Sequence, residues 1–375
     1  MMIQNSYNPP PGAPLLQATI LDEIVGSQAS QMVIDELGLA MATHPGFKRD
    51  RNEDRIAVVR IEAPNTETYT VALVCDGVGG SESGDQAAAI AITSIIVDLA
   101  QQQVHPSLKE LAVALVRRAD DLVRKELQGR GATTLVMLLT TASGHLVCAN
   151  VGDSRAYSWD PSSSKLNQVT IDDTIENELK NLPGNPAALI KARGLQGRLS
   201  QAIGESGRTA DELRIQTYTK EHFRLGAVLG SDGLWRAARD FETAVANAST
   251  PIDAVRRSIA LANWVGGVDN ASLIVVGDLE RLCGGREVQA SDGRRQMEIT
   301  LWLPSAKIKI FTNDLIGEGK SAQARGKSEK VKRRAKKKEP RDTVDELQLK
   351  LDTAESNEAR PKIEVMINEE PKQDE

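Results

Sequence analysis

Tyr69-Thr-Val-Ala-Leu-Val-Cys75, followed at once by Asp76-Gly77-Val78-Gly79-Gly80, is the stretch on which the fold of this chain turns. The first part is β-branched and apolar, without polar alternation, and predicts a fully buried strand. The alanine-rich pattern beginning at Asp85 predicts a helix directly after it. A strand that ends in a carboxylate and glycines sets a charge at the sheet edge, with backbone carbonyls free to turn toward the same point. Such a corner suits a hard cation. It equally suits a plain turn, because Asp-Gly is a common turn dipeptide and most such turns bind nothing.

The same punctuation recurs on both sides. Upstream, the polar loop Thr43 to Arg55 contains Arg49, Asn52, Glu53 and Asp54 and leads into the strand pattern Ile56 to Ile61. Charges lying between two apolar segments need a partner such as a metal or an anion, although mutual salt bridges on a solvated face are the usual explanation of such a run. His44, standing alone, reads as a capping or packing histidine. Downstream, Asp85 to Ala100 and Leu108 to Leu127 predict helices, the second with an apolar stripe at Leu111, Leu115, Ala119 and Leu122. Gly131 to Leu139 and His145 to Asn150 predict an antiparallel hairpin, ending in Val151-Gly152-Asp153-Ser154-Arg155. Further strand patterns run over Leu213 to Tyr218 and Arg224 to Gly230, and the latter ends in Ser231-Asp232-Gly233-Leu234-Trp235. After a helical pattern from Pro251 to Trp264, Asp269-Asn270 opens the strand Ser272 to Val276.

Acids therefore recur beside strands at Glu53 and Asp54, Asp76, Asp153, Asp232 and Asp269. Gathered carboxylates with a backbone carbonyl suit Mg2+ or Mn2+; zinc is disfavoured because the chain has no Cys/His cluster. Arg49 suits an anion, since a guanidinium forks onto a phosphate with two parallel hydrogen bonds.

In this order, the blocks Arg49-x-x-Asn52-Glu53-Asp54, Asp76-Gly77-Val78-Gly79-Gly80, Gly131-Ala132-Thr133-Thr134, Val151-Gly152-Asp153-Ser154-Arg155, Ser231-Asp232-Gly233-Leu234-Trp235 and Asp269-Asn270 resemble the metal-dependent serine/threonine protein phosphatases of the PP2C (PPM) type, in their bacterial form. The resemblance implies an α+β fold, a four-layer α/β/β/α sandwich of two mainly antiparallel sheets, here with a C-terminal extension. It implies hydrolysis of phosphoserine and phosphothreonine in proteins by a metal-activated water, opposing a bacterial Ser/Thr kinase. The metals would be two Mn2+ or Mg2+ ions. Asp76 would bridge them, with the Gly77 carbonyl, Glu53 and Asp54 acting on one and Asp232 and Asp269 holding the other. Arg49 would bind the substrate phosphate. Asp153, with Asp232, matches the position of a weaker third ion, against which Arg236 stands where the family often has an acid. Val78 stands where animal members carry a histidine proposed as general acid. Thr133, Thr134, Ser154 and Arg155 match positions that support the sheet ends.

The phosphatase-like domain is expected over 38–280, with a flap at about 168–199. Residues 1–37 are expected as a partly disordered N-terminal extension, 281–316 as a linker with a small hairpin (Met297 to Leu303, Ala306 to Phe311), and 317–375 as a disordered tail, first basic and then acidic. The alternative reading is a docking or regulatory module whose charged tail binds a protein, nucleic acid or an anionic surface. A basic run without interleaved aromatics argues against nucleic acid. The partner is expected to be a phosphorylated protein, a Ser/Thr kinase or its target, and the chain a monomer. No run approaches the ~20 apolar residues of a membrane span, and the N-terminus lacks a secretory pattern. Three scattered cysteines, Cys75, Cys148 and Cys283, fit a reduced, cytoplasmic compartment. The net charge of −6 over 375 residues favours no class of partner.

Overall fold

The computed structural model describes residues 13–24, 28–62, 67–78, 83–101, 105–180, 190–191, 193–236, 238–284, 297–312 and 362–366. One sheet contains β1 (Ser30–Ile34), β2 (Leu39–His44), β7 (Arg155–Asp160), β8 (Lys165–Gln168), β10 (Gly226–Gly230) and β11 (Ala271–Val276), in the order β1-β2-β11-β10-β7-β8. The other contains β3 (Arg55–Glu62), β4 (Tyr69–Cys75), β5 (Leu135–Thr141), β6 (Leu146–Val151), β9 (Gln216–Thr219), β12 (Met297–Trp302), β13 (Lys307–Thr312) and β14 (Lys362–Met366). Its order is β14-β13-β12-β3-β4-β5-β6-β9. Every described strand pair is antiparallel.

The layering follows from the two-residue period of a strand. In β3 and β4, Ile56, Val58, Ala72 and Val74 face the other sheet and pack with Leu39, Met41, Leu229 and Ile274. Their neighbours Ala57, Val59, Val71 and Leu73 point the opposite way, onto α2 (Gly84–Ala100) and α3 (Leu108–Leu127). Both faces of these strands are thus buried, as the unbroken apolar run at Tyr69–Cys75 predicts. The first sheet does the same: Ala40, Val228, Leu273 and Val275 meet Phe241 and Val245 of α5 (Phe241–Ala246) and Val255 of α6 (Pro251–Trp264). A further short helix, α4 (Ile175–Leu179), lies in the polar excursion. These layers are the α/β/β/α sandwich. Ser107 caps α3 by accepting from the Glu110 N–H, and Thr250 caps α6 from Asp253, which fixes where those helices begin.

The structure draws the domain boundaries differently from the sequence. β1 pairs along its length with β2, so the sheet reaches back across the expected boundary at 38. Residues 13–24 form helix α1, whose Leu16 and Ile24 are buried in the α2/α3 core. The expected hairpin at 297–312 exists, but it is part of the sandwich: β12 pairs with β3, and Ile299, Leu301, Ile308 and Ile310 are buried. Alternating apolar residues predict a hairpin; they do not say which edge it will join. Within the expected disordered tail, Lys362–Met366 pairs with β13, as its own alternation allows. The basic block Lys320 to Lys338 lies outside the described residues. Among the described residues no helix is long and apolar enough to cross a membrane.

Candidate active site

Register brings the acid-bearing loops together. Arg55 at the start of β3 lies opposite Cys75 at the end of β4. Gly230 at the end of β10 lies opposite both Leu273 of β11 and Arg155 of β7. Ala271 pairs with His44. The residues just beyond these positions therefore emerge at one end of the sandwich, round a cavity of about 430 Å3 whose walls include Glu53, Asp76, Gly77, Asp153, Asp232 and Asp269. Asp54 lies beneath, fully buried.

The loops are held by hydrogen bonds from the residues between the acids. The Asp76 N–H donates to Thr134 Oγ1 at 3.0 Å, and the Asp76 carbonyl accepts from the Thr134 N–H at 2.8 Å and from Thr133 Oγ1 at 2.9 Å. Thr134 and Ser154 hydroxyls meet at 2.6 Å. These contacts match the supporting role expected of Thr133, Thr134 and Ser154. Arg155 forks onto Asp172 at 2.9 and 2.7 Å and lies over the Trp235 ring. Asn270 ties the upstream loop down: its amide donates to the carbonyls of Pro45 (2.8 Å) and Arg51 (2.9 Å), and its Oδ1 accepts from Glu53 N–H at 2.8 Å. His44 accepts from Gly46 N–H and packs edge-on against Phe47, as a turn histidine. Gly77 is required sterically, because a Cβ there would lie 2.5 Å from the Gly84 carbonyl carbon and 2.9 Å from the Glu53 oxygen.

The site is short of positive charge at its centre. Burial, then the charges of Asp54, Asp232 and Asp153, raise Asp76 well above the ordinary carboxylate range. Burial, then the charge of Asp153, pushes Asp232 up to about 7; burial, opposed by the Ser231 hydrogen bond, takes Asp54 to about 6. Burial likewise raises Glu53 and Asp153. Two arginines neutralise the periphery. Arg49 forks onto Asp269, with Nε and Nη2 each 2.9 Å from an oxygen. Arg236 pairs with Asp153 and, at 2.7 Å, with Asp232. In this structure Arg49 thus binds the acid expected to hold a metal, and the phosphate-binding role would require it to let go.

Among the described residues no three carboxylate, histidine or cysteine side chains close round one point as a finished metal cage. The donors nevertheless fit a hard divalent ion on the Asp76 side. All are oxygens, and Asp54 Oδ1 is buried without a hydrogen-bond partner, an orphan that a cation would satisfy. They do not fit one on the Asp153 side, where a guanidinium already bridges the two acids.

The protein phosphatase 2C family model matches residues 48–187, the segment carrying Arg49, Glu53, Asp54, Asp76 and Asp153. The serine/threonine phosphatase stp of Listeria monocytogenes is 26% identical over 251 residues, covering 62% of this chain and 95% of its own. Over residues 48–187 the chain is similar to the protein phosphatase 2C family. PhpP of Streptococcus pneumoniae is 22% identical and covers 64% of this chain and 96% of its own. The PPM Ser-Thr phosphatase MsPP of Mycobacterium smegmatis, crystallised with cacodylate, is 25% identical, with a TM-score of 0.50 over 64% of this chain and 97% of its own. Stp1 of Staphylococcus aureus, at 20% identity and a TM-score of 0.53, shares the fold.

The sequence pointed to the acids of this site and to a flap reaching about residue 199, but it missed Gln201 and Glu205 of the wall. Arg198, Leu199, Gln201 and Glu205 line the cavity from the far side of the polar excursion. That segment is seated by Asp173, which accepts from Gly152 N–H (2.9 Å) and Gln201 Nε2 (2.8 Å). No motif marks these residues; only the return of the chain across the cleft places them there.

Proposed function

We propose that this chain removes phosphate from phosphoserine and phosphothreonine in proteins by metal-dependent hydrolysis, with Mn2+ or Mg2+ as the ions. The carrying observation is the convergence, under one cavity, of acids from separate loops, where burial first and then their shared charge raise Asp76 and Asp232. Glu53, Asp54, Asp76 and the Gly77 carbonyl would hold one ion, and Asp76, Asp232 and Asp269 the other. Bound there, divalent ions supply an activated water and positive charge against the phosphoryl oxygens. Arg49 orients the phosphate by exchanging its Asp269 fork for two phosphate oxygens, a substitution of one oxyanion pair for another. Thr134 and Asn270 keep the Asp76 and Glu53 backbones from moving as charge enters. Val78 offers no proton, so the leaving hydroxyl takes its proton from solvent in the open cleft. A phosphorylated kinase or its target is the expected substrate.

The test is phosphate release from a phosphothreonine peptide. Turnover should require Mn2+ or Mg2+, stop with EDTA, and fall by orders of magnitude in Asp76→Ala. Robust turnover in excess EDTA would sink the reading.

A further inference from the structure

Arg236 is the ion-pair partner that Asp153 and Asp232 share. Its Nη2 donates to Asp153 and, at 3.0 Å, to the Gly197 carbonyl; its Nε lies 2.7 Å from Asp232 Oδ2. One guanidinium therefore joins segments far apart in sequence: the turn after β6, the turn after β10, and the end of the polar excursion that crosses the cleft. The acids are sunk, at 5% and 15% exposure, while the arginine side chain is 41% exposed at the cavity wall.

The placement is built in. Residues Asp232–Leu234 form a single 3-10 turn, and the Arg236 N–H returns to the Asp232 carbonyl at 3.0 Å, which sets the side chain back over its own turn. Trp235 cannot rotate away. It is packed edge-on to Tyr157, tilted against Phe241 and covered by the Arg155 guanidinium. A planar fork with several N–H donors reaches two carboxylates and a carbonyl at once; a lysine, with one ammonium at the end of a flexible stem, could not. A divalent ion on the same two carboxylates would face that fixed positive charge at hydrogen-bonding distance, and the arginine is already there without a solution ion having to be dehydrated.

We propose that Arg236 replaces a metal ion at the Asp153–Asp232 pair and, through Gly197, latches the polar excursion to the acid side of the cleft. The resident guanidinium caps the number of ions that the site takes and ties the cavity wall formed by Arg198 and Leu199 to Asp232. The inference builds on the two-ion reading of the neighbouring acids.

The full chain, Arg236→Met and the double variant Asp153→Asn/Arg236→Met would be titrated with Mn2+ by equilibrium dialysis, and amide hydrogen exchange followed over residues 195–199. Arg236→Met should bind about one additional Mn2+ ion per chain, weakly, because the freed acid pair takes the cation it lost. The double variant should lose that extra ion and, no longer holding two unshielded acids together, fold without metal. In both variants exchange over 195–199 should rise roughly 10-fold or more. An ion count in Arg236→Met equal to that of the natural chain overturns the replacement, and unchanged exchange in both variants overturns the latch. The wild-type count by itself judges the two-ion reading, so the two failures are distinguishable.

Discussion

Gly77→Ala puts the steric side of the site to a direct test. The added Cβ would stand 2.5 Å from the Gly84 carbonyl carbon, 2.6 Å from its oxygen and 2.9 Å from the Glu53 oxygen, where ordinary contact begins at 3.4 Å. The shortfall at the nearest atom is about 0.9 Å. All these neighbours are backbone, on the loop before β3 and the first turn of α2, so no side chain can swing aside. Overpacking of this kind costs about 1–3 kcal/mol, or roughly 2–6 °C in Tm for a domain of this size. The larger consequence is positional, because Asp76 must move with its neighbour, and a displacement of about 1 Å at a reacting centre costs on the order of 100-fold in rate. Gly144→Ala is the control: its φ of +89° strains an alanine, but nothing lies within 4 Å of the new Cβ and the hairpin turn is remote from the cavity. The assays are thermal melting, Mn2+ titration and kcat on a phosphothreonine peptide. Gly77→Ala with kcat and Mn2+ affinity within about twofold of the natural chain, on scales where catalytic effects span orders of magnitude, would refute the argument.

Other consequences are independent of that one. Arg49→Ala should lower kcat/KM by about 100-fold, as loss of a charged phosphate contact does, and Arg49→Lys should recover only part, since it cannot fork; full activity in Arg49→Ala would place the phosphate elsewhere. Leu301→Ala, at 1% exposure in β12, should destabilise by about 2–5 kcal/mol in urea; a loss under about 0.5 kcal/mol, the level of surface changes, would return the 297–312 hairpin to the status of an appendage. Asp160 is held down to about 2, first by the Ser162 hydroxyl and then by that of Ser163. A lowered carboxylate contributes stability that is present above its unfolded value of about 3.9 and is lost as pH falls through about 2. Asp160→Asn should therefore melt below the natural chain at pH 7, with the gap narrowing below about pH 4; a gap independent of pH would contradict this.

Different parts of this chain were legible to different degrees. The apolar run before Asp76 needed no partner to be read, because a strand covered on both faces carries its burial in composition. The helices over 84–100 and 108–127 were equally plain from alanine content and from the apolar stripe. The acid-glycine ends of the strands were visible as points where charge would be costly without a cation. Arg49 shows the limit. Its residue type predicts an oxyanion partner, but whether that partner is a phosphate or Asp269 depends on two loops more than two hundred positions apart in the chain. Asn270 could be recognised as a motif residue, yet its work of holding two loop carbonyls and the Glu53 N–H appears only when β2 and β11 lie side by side.

By itself, the sequence determined most of the strands and helices and the acids at the strand ends, because strand periodicity, helix stripes and the cost of a carboxylate at a strand end are local properties; the layered fold was legible only through the resemblance of the motif blocks to the 2C-type phosphatases. Tertiary structure alone decided the pairings. It seated 297–312 on the free edge of β3, where alternation alone could not choose an edge. It brought Arg198 and Leu199 back over the cleft. It set Arg236 between Asp153 and Asp232, making a residue that the sequence marked only as a departure from the resembling pattern into the cation of that corner. Each of these depends on distance between residues remote in the chain, which no local pattern encodes.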